Sequence, residues 1–316
     1  MGEMEFLPLL NQKTQETTQI ISACFEEYLN RQRELSYLTV VLDAMDYSFL
    51  AGGKRLRPLL MRETWRLFAG NEEEPEALHE FMTALEMIHT YSLVHDDLPA
   101  MDNDEYRRGK ETTWKVYGDG MAVLTGDALL NSALQIAFSS LRESILAGES
   151  SETVKRIAQC GEVLAAKAGI QGMLGGQVAD VEAEKKCLPM DMEKILFIHE
   201  KKTAALIETA MGIGALLGGA GEEEYQKVVQ IARKVGIAFQ IQDDVLDVIG
   251  DSAELGKSVG SDAQSGKETF VTLRGLEESK REVARLSEEA VAELHELPGE
   301  HMFLEDLIHH LIYRKK

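Results

Sequence analysis

Apolar residues recur along most of this chain at intervals of three and four. Near the C-terminus Phe303, Leu304, Leu307, Ile308, Leu311 and Ile312 form one such series. That spacing lines a single helix face and predicts a buried stripe. Leu276, Val283, Leu286, Val291 and Leu294 repeat it, and Pro298-Gly299 ends the run. Alternating β-branched runs bounded by turn pairs do not occur, and only six prolines interrupt 316 residues. Breaks fall near Gly70-Asn71, Gly118 to Gly120, Gly148, Leu188-Pro189, Gly218 to Gly221 and Gly250 to Gly266. None makes a long linker, so the pattern predicts an all-α fold in one domain over residues 1–316.

Charge changes the picture more than hydrophobicity does. Lys and Arg number 33 against 54 Asp and Glu, a formal net charge of -21. Such a surface repels nucleic-acid phosphates and anionic lipid. An anionic substrate would therefore need locally gathered cations or bridging metal ions. Cys24, Cys160 and Cys187 lie far apart with no C-x-x-C spacing, which argues against a disulfide framework or a zinc site. Residues 1–10 carry Glu3 and Glu5 and do not read as a signal peptide, and the apolar stretch around Met211 to Ala220 is too short to span a bilayer. A cytoplasmic protein without membrane insertion is expected.

Two acidic clusters follow apolar runs: Asp96-Asp97-Leu98-Pro99-Ala100-Met101-Asp102, and Asp243-Asp244-Val245-Leu246-Asp247. Asp243 and Asp247, four apart, share one helix face, where like charges destabilise a bare helix. Pro99 should end or kink the first helix, so Asp102 must swing back to share a ligand with Asp96. Oxygen ligands without His or Cys suit a hard cation. Magnesium takes one or two carboxylates and completes its shell with water and phosphate oxygens. Solvated helix ends are the bland alternative for either cluster alone, and two matching clusters weigh against it.

Cations are grouped too. Gly52-Gly53-Lys54-Arg55-Leu56-Arg57-Pro58 sets glycines before three cations, a plausible anion cradle. Arg107-Arg108-Gly109-Lys110 follows the first acidic cluster, and Lys201-Lys202-Thr203 follows His199 in a predicted helix. Lys257 and Lys267 flank the glycine-rich stretch after the second cluster. Each alone reads more readily as a surface salt bridge. Four cation groups beside two carboxylate groups in an acidic chain point to a metal-bridged polyphosphate. No G-x-S-x-G, H-E-x-x-H or P-loop motif is present.

These residues resemble the short-chain trans-prenyl diphosphate synthases, the farnesyl and geranylgeranyl diphosphate synthase family. The likeness runs from Gly52 to the terminal helix. It rests on Gly-Gly-Lys-Arg-Leu-Arg-Pro, His-Asp-Asp-Leu-Pro-Ala-Met-Asp, Arg-Arg-Gly-Lys, Lys-Thr, Phe-Gln-Ile-Gln-Asp-Asp-Val-Leu-Asp and the lysine pair ten apart. The resemblance implies a single all-α bundle around a central cavity, usually a homodimer, with the aspartate motifs opposed across it. It implies that Asp96, Asp102 and Asp243 ligate magnesium, with Asp97, Asp244 and Asp247 in support. Arg107, Lys202, Lys257 and Lys267 would hold the allylic diphosphate. Lys54, Arg57, His89 and Arg108 would hold isopentenyl diphosphate. Thr203 and Gln240 would face the developing positive charge. His89 lies seven residues before Asp96, about 10 Å along an ideal helix, so its role rests on the resemblance alone. Trp114, Asp119 and Val271 stand where the family commonly has His, Glu and Pro.

The implied reaction joins an allylic diphosphate to isopentenyl diphosphate with loss of diphosphate, and it needs no protein nucleophile. Product length in this family depends on bulk beneath the first aspartate motif. Ser92 lies one turn below Asp96 and Tyr91 beside it, which favours a fifteen-carbon product over twenty. A non-catalytic partner subunit should lack one aspartate motif, and a class I terpene cyclase has no need of Lys54, Arg57 and Arg108. A purely structural bundle leaves the paired acidic clusters unexplained.

Overall fold

The computed structural model describes residues 3–34, 36–185, 190–249 and 268–313. Lys257, Lys267 and Cys187 lie outside these residues, as do the breaks at Leu188-Pro189 and across Gly250 to Gly266. Fourteen α-helices occur among the described residues: α1 (Glu3–Gln32), α2 (Thr39–Phe49), α3 (Leu56–Ala69), α4 (Glu76–Asp96), α5 (Thr113–Tyr117), α6 (Asp119–Leu146), α7 (Ser151–Ala168), α8 (Met173–Lys185), α9 (Met192–Ile198), α10 (Ala205–Gly218), α11 (Glu222–Ile249), α12 (Phe270–Arg274), α13 (Leu276–Leu294) and α14 (Met302–Ile312). The expected all-α class is what the chain adopts, and α13 and α14 coincide with the two apolar series read from the sequence. Two short strands that the periodicity did not foretell, β1 (Tyr106–Arg107) and β2 (Lys110–Glu111), pair antiparallel.

The chain divides into two compact units. One comprises Leu7–Arg62 and Asn71–Glu162. Its core is built on α4 against α6, where Phe81, Met82, Leu85, Ile88, Leu129 and Ala133 are buried. Phe25 of α1 stacks on Phe49 of α2 with ring centroids 4.1 Å apart. Each such side chain contributes about 1.5–3 kcal/mol by leaving water. The α4–α6 approach is close enough that a side chain at Gly126 would overlap the His95 ring. His95 Nε2 lies 3.0 Å from the Val123 carbonyl, so this histidine ties two helices together. By length and composition α6 could also cross a membrane, a test that core helices pass as well.

The other unit comprises Met1–Phe6, Glu63–Gly70 and Val163–Lys316. Here α10 is buried from Ala205 through Leu216, and α11 packs on α10 and α13. The apolar stretch Met211 to Ala220 is therefore a core helix and its cap. Gly219, with φ of 101°, ends α10 in the left-handed conformation that glycine adopts without a Cβ clash.

Candidate active site

In the unit containing the first acidic group, α4 stops at Asp96 and Asp97 caps it. Beyond Pro99 the chain turns back on itself. The Asp102 N–H donates to the Asp96 carbonyl at 2.9 Å, and the Asn103 N–H donates to the Leu98 carbonyl at 3.1 Å. Asn103 takes a φ of 57°, which asparagine tolerates well. This turn performs the return that Pro99 and Asp102 together required. Asp97 has a different position from its neighbour: its side chain is buried, and Arg107 Nε donates to its Oδ1 at 2.6 Å. Burial raises the Asp97 carboxyl and the Arg107 guanidinium opposes that rise. Arg107 also reaches Asp104 Oδ2 at 3.3 Å, a contact the sequence reading missed.

The Arg107-Arg108-Gly109-Lys110 run is a two-residue hairpin. Arg107 pairs with Lys110, and Arg108 and Gly109 have φ of 54° and 76°. Positive φ at both central positions matches the strand twist, as in a type I′ turn. The turn sends Arg108 toward the first glycine loop, where Nη1 donates to the Gly52 carbonyl. Gly53 has φ of 130°, and a Cβ there would overlap the Arg108 guanidinium. Glycine is thus required twice over at that position.

Of the three cations in the supposed cradle, Arg55 is not available to an anion. It is buried, Nη1 donates to Glu86 at 2.6 Å, and Nη2 donates to the Phe49 carbonyl at 2.5 Å. This corrects the reading of Lys54, Arg55 and Arg57 as one set. Lys54 is exposed, and Arg57 Nη1 lies 3.4 Å from His89 Nε2. The Arg57 Nε is buried with no acceptor among the described residues. Burial holds the His89 imidazole well below its usual range, and Arg57, Arg108, Arg55 and Arg107 push it further in the same direction. Burial also lowers Arg57 and Arg108, with other guanidinium groups adding to the effect. Positive groups are crowded here, with Glu86 and Asp97 opposing them.

Beneath the first acidic group, Tyr91 is 7% exposed and its ring meets His95 edge-on, centroids 5.8 Å apart. Burial, then the charge of Asp96, pushes its hydroxyl up to about 12. Ser92 Oγ donates to the His89 carbonyl at 2.9 Å, so this small side chain stays against its own helix.

In the other unit the predicted Lys-Thr helix is a π turn, His199–Ala204, between α9 and α10. Such turns insert an extra residue and re-aim side chains. Two glycines hold it: a Cβ at Gly176 of α8 would overlap the Lys202 backbone, and one at Gly236 of α11 would overlap Ala204. Lys202 Nζ donates to Asp180 Oδ2 at 2.7 Å, a partner the sequence reading did not single out. Thr203 is half-buried on the same turn. On α11, Gln240 Nε2 donates to Asp243 Oδ2 at 3.3 Å, while Asp244 Oδ2 accepts from the Phe270 N–H at 2.9 Å. Asp243 and Asp247 are both half-buried one turn apart. They lie inside α11, short of its end.

The family model for polyprenyl synthetase matches residues 39–299. The chain belongs to the polyprenyl synthetase family. It is 44% identical over 255 residues to a chloroplastic geranylgeranyl pyrophosphate synthase of Capsicum annuum, a match covering 81% of this chain and 66% of that one. It is 39% identical over 269 residues to the farnesyl diphosphate synthase of Geobacillus stearothermophilus, covering 85% of this chain and 86% of that one. Among solved structures, an FPP/GFPP synthase from Zymomonas mobilis matches with a TM-score of 0.82 at 33% identity, over 96% of this chain and 99% of that one. A geranyltransferase from Helicobacter pylori, complexed with magnesium and isoprenyl diphosphate, matches with a TM-score of 0.74 at 30% identity, over 95% and 96%. As a member of this family the chain is a prenyl synthase with the all-α isoprenoid synthase fold.

Proposed function

We propose that this prenyl synthase condenses isopentenyl diphosphate with an allylic diphosphate, using magnesium, to give the fifteen-carbon farnesyl diphosphate. The observation that carries the reading is the gathering of Arg57 and Arg108 beside His89, with a buried Arg57 Nε that has no acceptor among the described residues. A diphosphate supplies negative charge and acceptor oxygens to such a group.

The carboxylates fit magnesium by donor chemistry. Asp96 and Asp102 are brought together by a backbone hydrogen bond, and Asp243 and Asp247 share a face. Among the described residues no three such side chains already form a complete metal cluster. Magnesium takes one or two carboxylates and completes its shell with water and phosphate oxygens. When bound, it would neutralise charge on the departing diphosphate.

The chain's own groups do the rest. Lys54, Arg57, His89 and Arg108 would hold isopentenyl diphosphate; Arg107 in the same unit, and Lys202 in the other, would each contact diphosphate oxygens. Asp97 and Asp180 set the positions of Arg107 and Lys202. Gln240, whose NH2 donates to Asp243, and Thr203 would face the developing positive charge.

Tyr91 supports the fifteen-carbon product. Its ring is 7% exposed and lies one turn before Asp96 on α4, where bulk would shorten the room for a growing chain. His95, tied to Val123, braces the ring. The name of the Capsicum annuum relative favours a twenty-carbon product instead. Mass analysis of products formed from isopentenyl diphosphate and each allylic starter, with and without magnesium, decides both reaction and length. Tyr91→Ala is expected to shift the main product from fifteen to twenty carbons or longer. An unchanged distribution removes Tyr91 from this role.

A homodimer is supported by an apolar stripe on α6. Phe138, Ile145 and Leu146 are 72%, 56% and 72% exposed, and Leu134 and Leu141 share the face of Phe138 and Ile145 at helical spacing. Sedimentation equilibrium is expected to give twice the chain mass, and Phe138→Glu is expected to give the monomer. Wild-type monomer at micromolar concentration rules this face out as an interface.

A further inference from the structure

Asp244 sits between the carboxylates of the second acidic group, yet its side chain is committed elsewhere. Its Oδ2 accepts the Phe270 N–H at 2.9 Å and lies 3.6 Å from His199 Nε2. Phe270 opens α12, where Thr269 and Thr272 form a reciprocal cap. Thr269 N–H donates to Thr272 Oγ1 at 2.8 Å, and Thr272 N–H donates to Thr269 Oγ1 at 3.3 Å. That cap satisfies both threonine amides and leaves the Phe270 amide, in the first turn, to find an acceptor outside the helix. Asp244 is that acceptor.

His199 is buried and opens the π turn that carries Lys202 and Thr203. One carboxylate therefore touches α12 and the π turn from its place on α11. Gly236, also on α11, fixes the far end of the same turn against Ala204. The turn lies against α11 at both ends.

We propose that Asp244 is a positioning residue whose carboxylate anchors the Phe270 backbone and the His199 end of the π turn to α11. It thereby sets where Lys202 and Thr203 stand relative to Asp243. Adjacent aspartates in one acidic motif then have separate tasks, Asp243 facing ligand and Asp244 holding backbone. The first motif offers a parallel in Asp97, whose carboxylate accepts from Arg107 Nε at 2.6 Å.

Hydrogen exchange on the full-length chain tests this directly. Asp244→Ala is expected to raise exchange at the Phe270 amide by about tenfold or more, the effect of losing a charge-assisted hydrogen bond. Asp243→Ala is expected to leave that amide unchanged. Asp244→Asn keeps an acceptor oxygen without the charge, so it should retain most of the protection and turn over faster than Asp244→Ala. Should Asp244→Ala lose protection throughout, the Asn variant decides, with a rise at Phe270 of about threefold expected. Wild-type exchange at Phe270 in every folded Asp244 variant overturns the anchor. So does an Asn variant that protects Phe270 yet is as slow as the Ala variant, because that marks the charge as the needed property. The kinetic comparison rests on the condensation reading and the exchange comparison does not. A chain inactive on prenyl diphosphates would sink that reading and leave the anchor to be judged by exchange.

Discussion

Asp96→Asn is expected to lower kcat by about 10²–10³-fold, the usual effect of removing one electrostatic contact to a reacting centre. The substitution is nearly isosteric, and the turn does not depend on the side chain it changes. Asp102 returns through its N–H to the Asp96 backbone carbonyl at 2.9 Å, which asparagine keeps. The thermal midpoint should therefore move by only a few degrees, within the range of surface substitutions. Asp97→Asn makes the informative contrast. Its carboxylate is buried against Arg107, so the loss there should fall on stability and on the Arg107 position together. Steady-state kinetics over a magnesium titration, with a melting curve for each variant, separates the two. Wild-type turnover by Asp96→Asn at limiting magnesium would remove Asp96 from the proposed metal site.

What could be read in advance divides along a physical line. Helix periodicity, the stop at Pro99 and the pairing of Asp243 with Asp247 depend on neighbours within a few residues, and each appears in the structure as expected. The hairpin at Arg108-Gly109 was hidden because four paired residues are too few for a period-two pattern. The π turn at His199–Ala204 leaves no trace in spacing either. It is set by Gly176 and Gly236, which permit close backbone approach from helices distant in sequence. Arg55 shows the limit most plainly. Beside Lys54 and Arg57, in a glycine-led run, it looks like one more anion ligand. Its role is decided by Glu86, 31 residues away.

That pair yields the largest stability effect expected in the molecule. Arg55 and Glu86 have side chains 3% exposed each, and Nη1 meets Oε1 at 2.6 Å. The guanidinium also lies 5.2 Å from the centroid of the Phe49 ring. Glu86→Ala leaves a buried cation without its counter-ion, which costs about 3–5 kcal/mol. The double variant Arg55→Met, Glu86→Leu removes both charges and should recover most of that loss, since a buried pair contributes little over apolar residues of similar volume. Activity should not recover with stability. Arg55 takes a φ of 47° in the segment joining Gly53 to Arg57, and its tether to α4 reaches one turn below His89. Without the tether, Arg57 loses its fixed approach to His89. The stable double variant is then expected to show a KM for isopentenyl diphosphate raised about tenfold, with a smaller change for the allylic substrate, the pattern of lost orientation in one subsite. If both KM values stay at wild type in the double variant, Arg55 and Glu86 are a packing pair only. The glycine-led loop then positions its cations by other means.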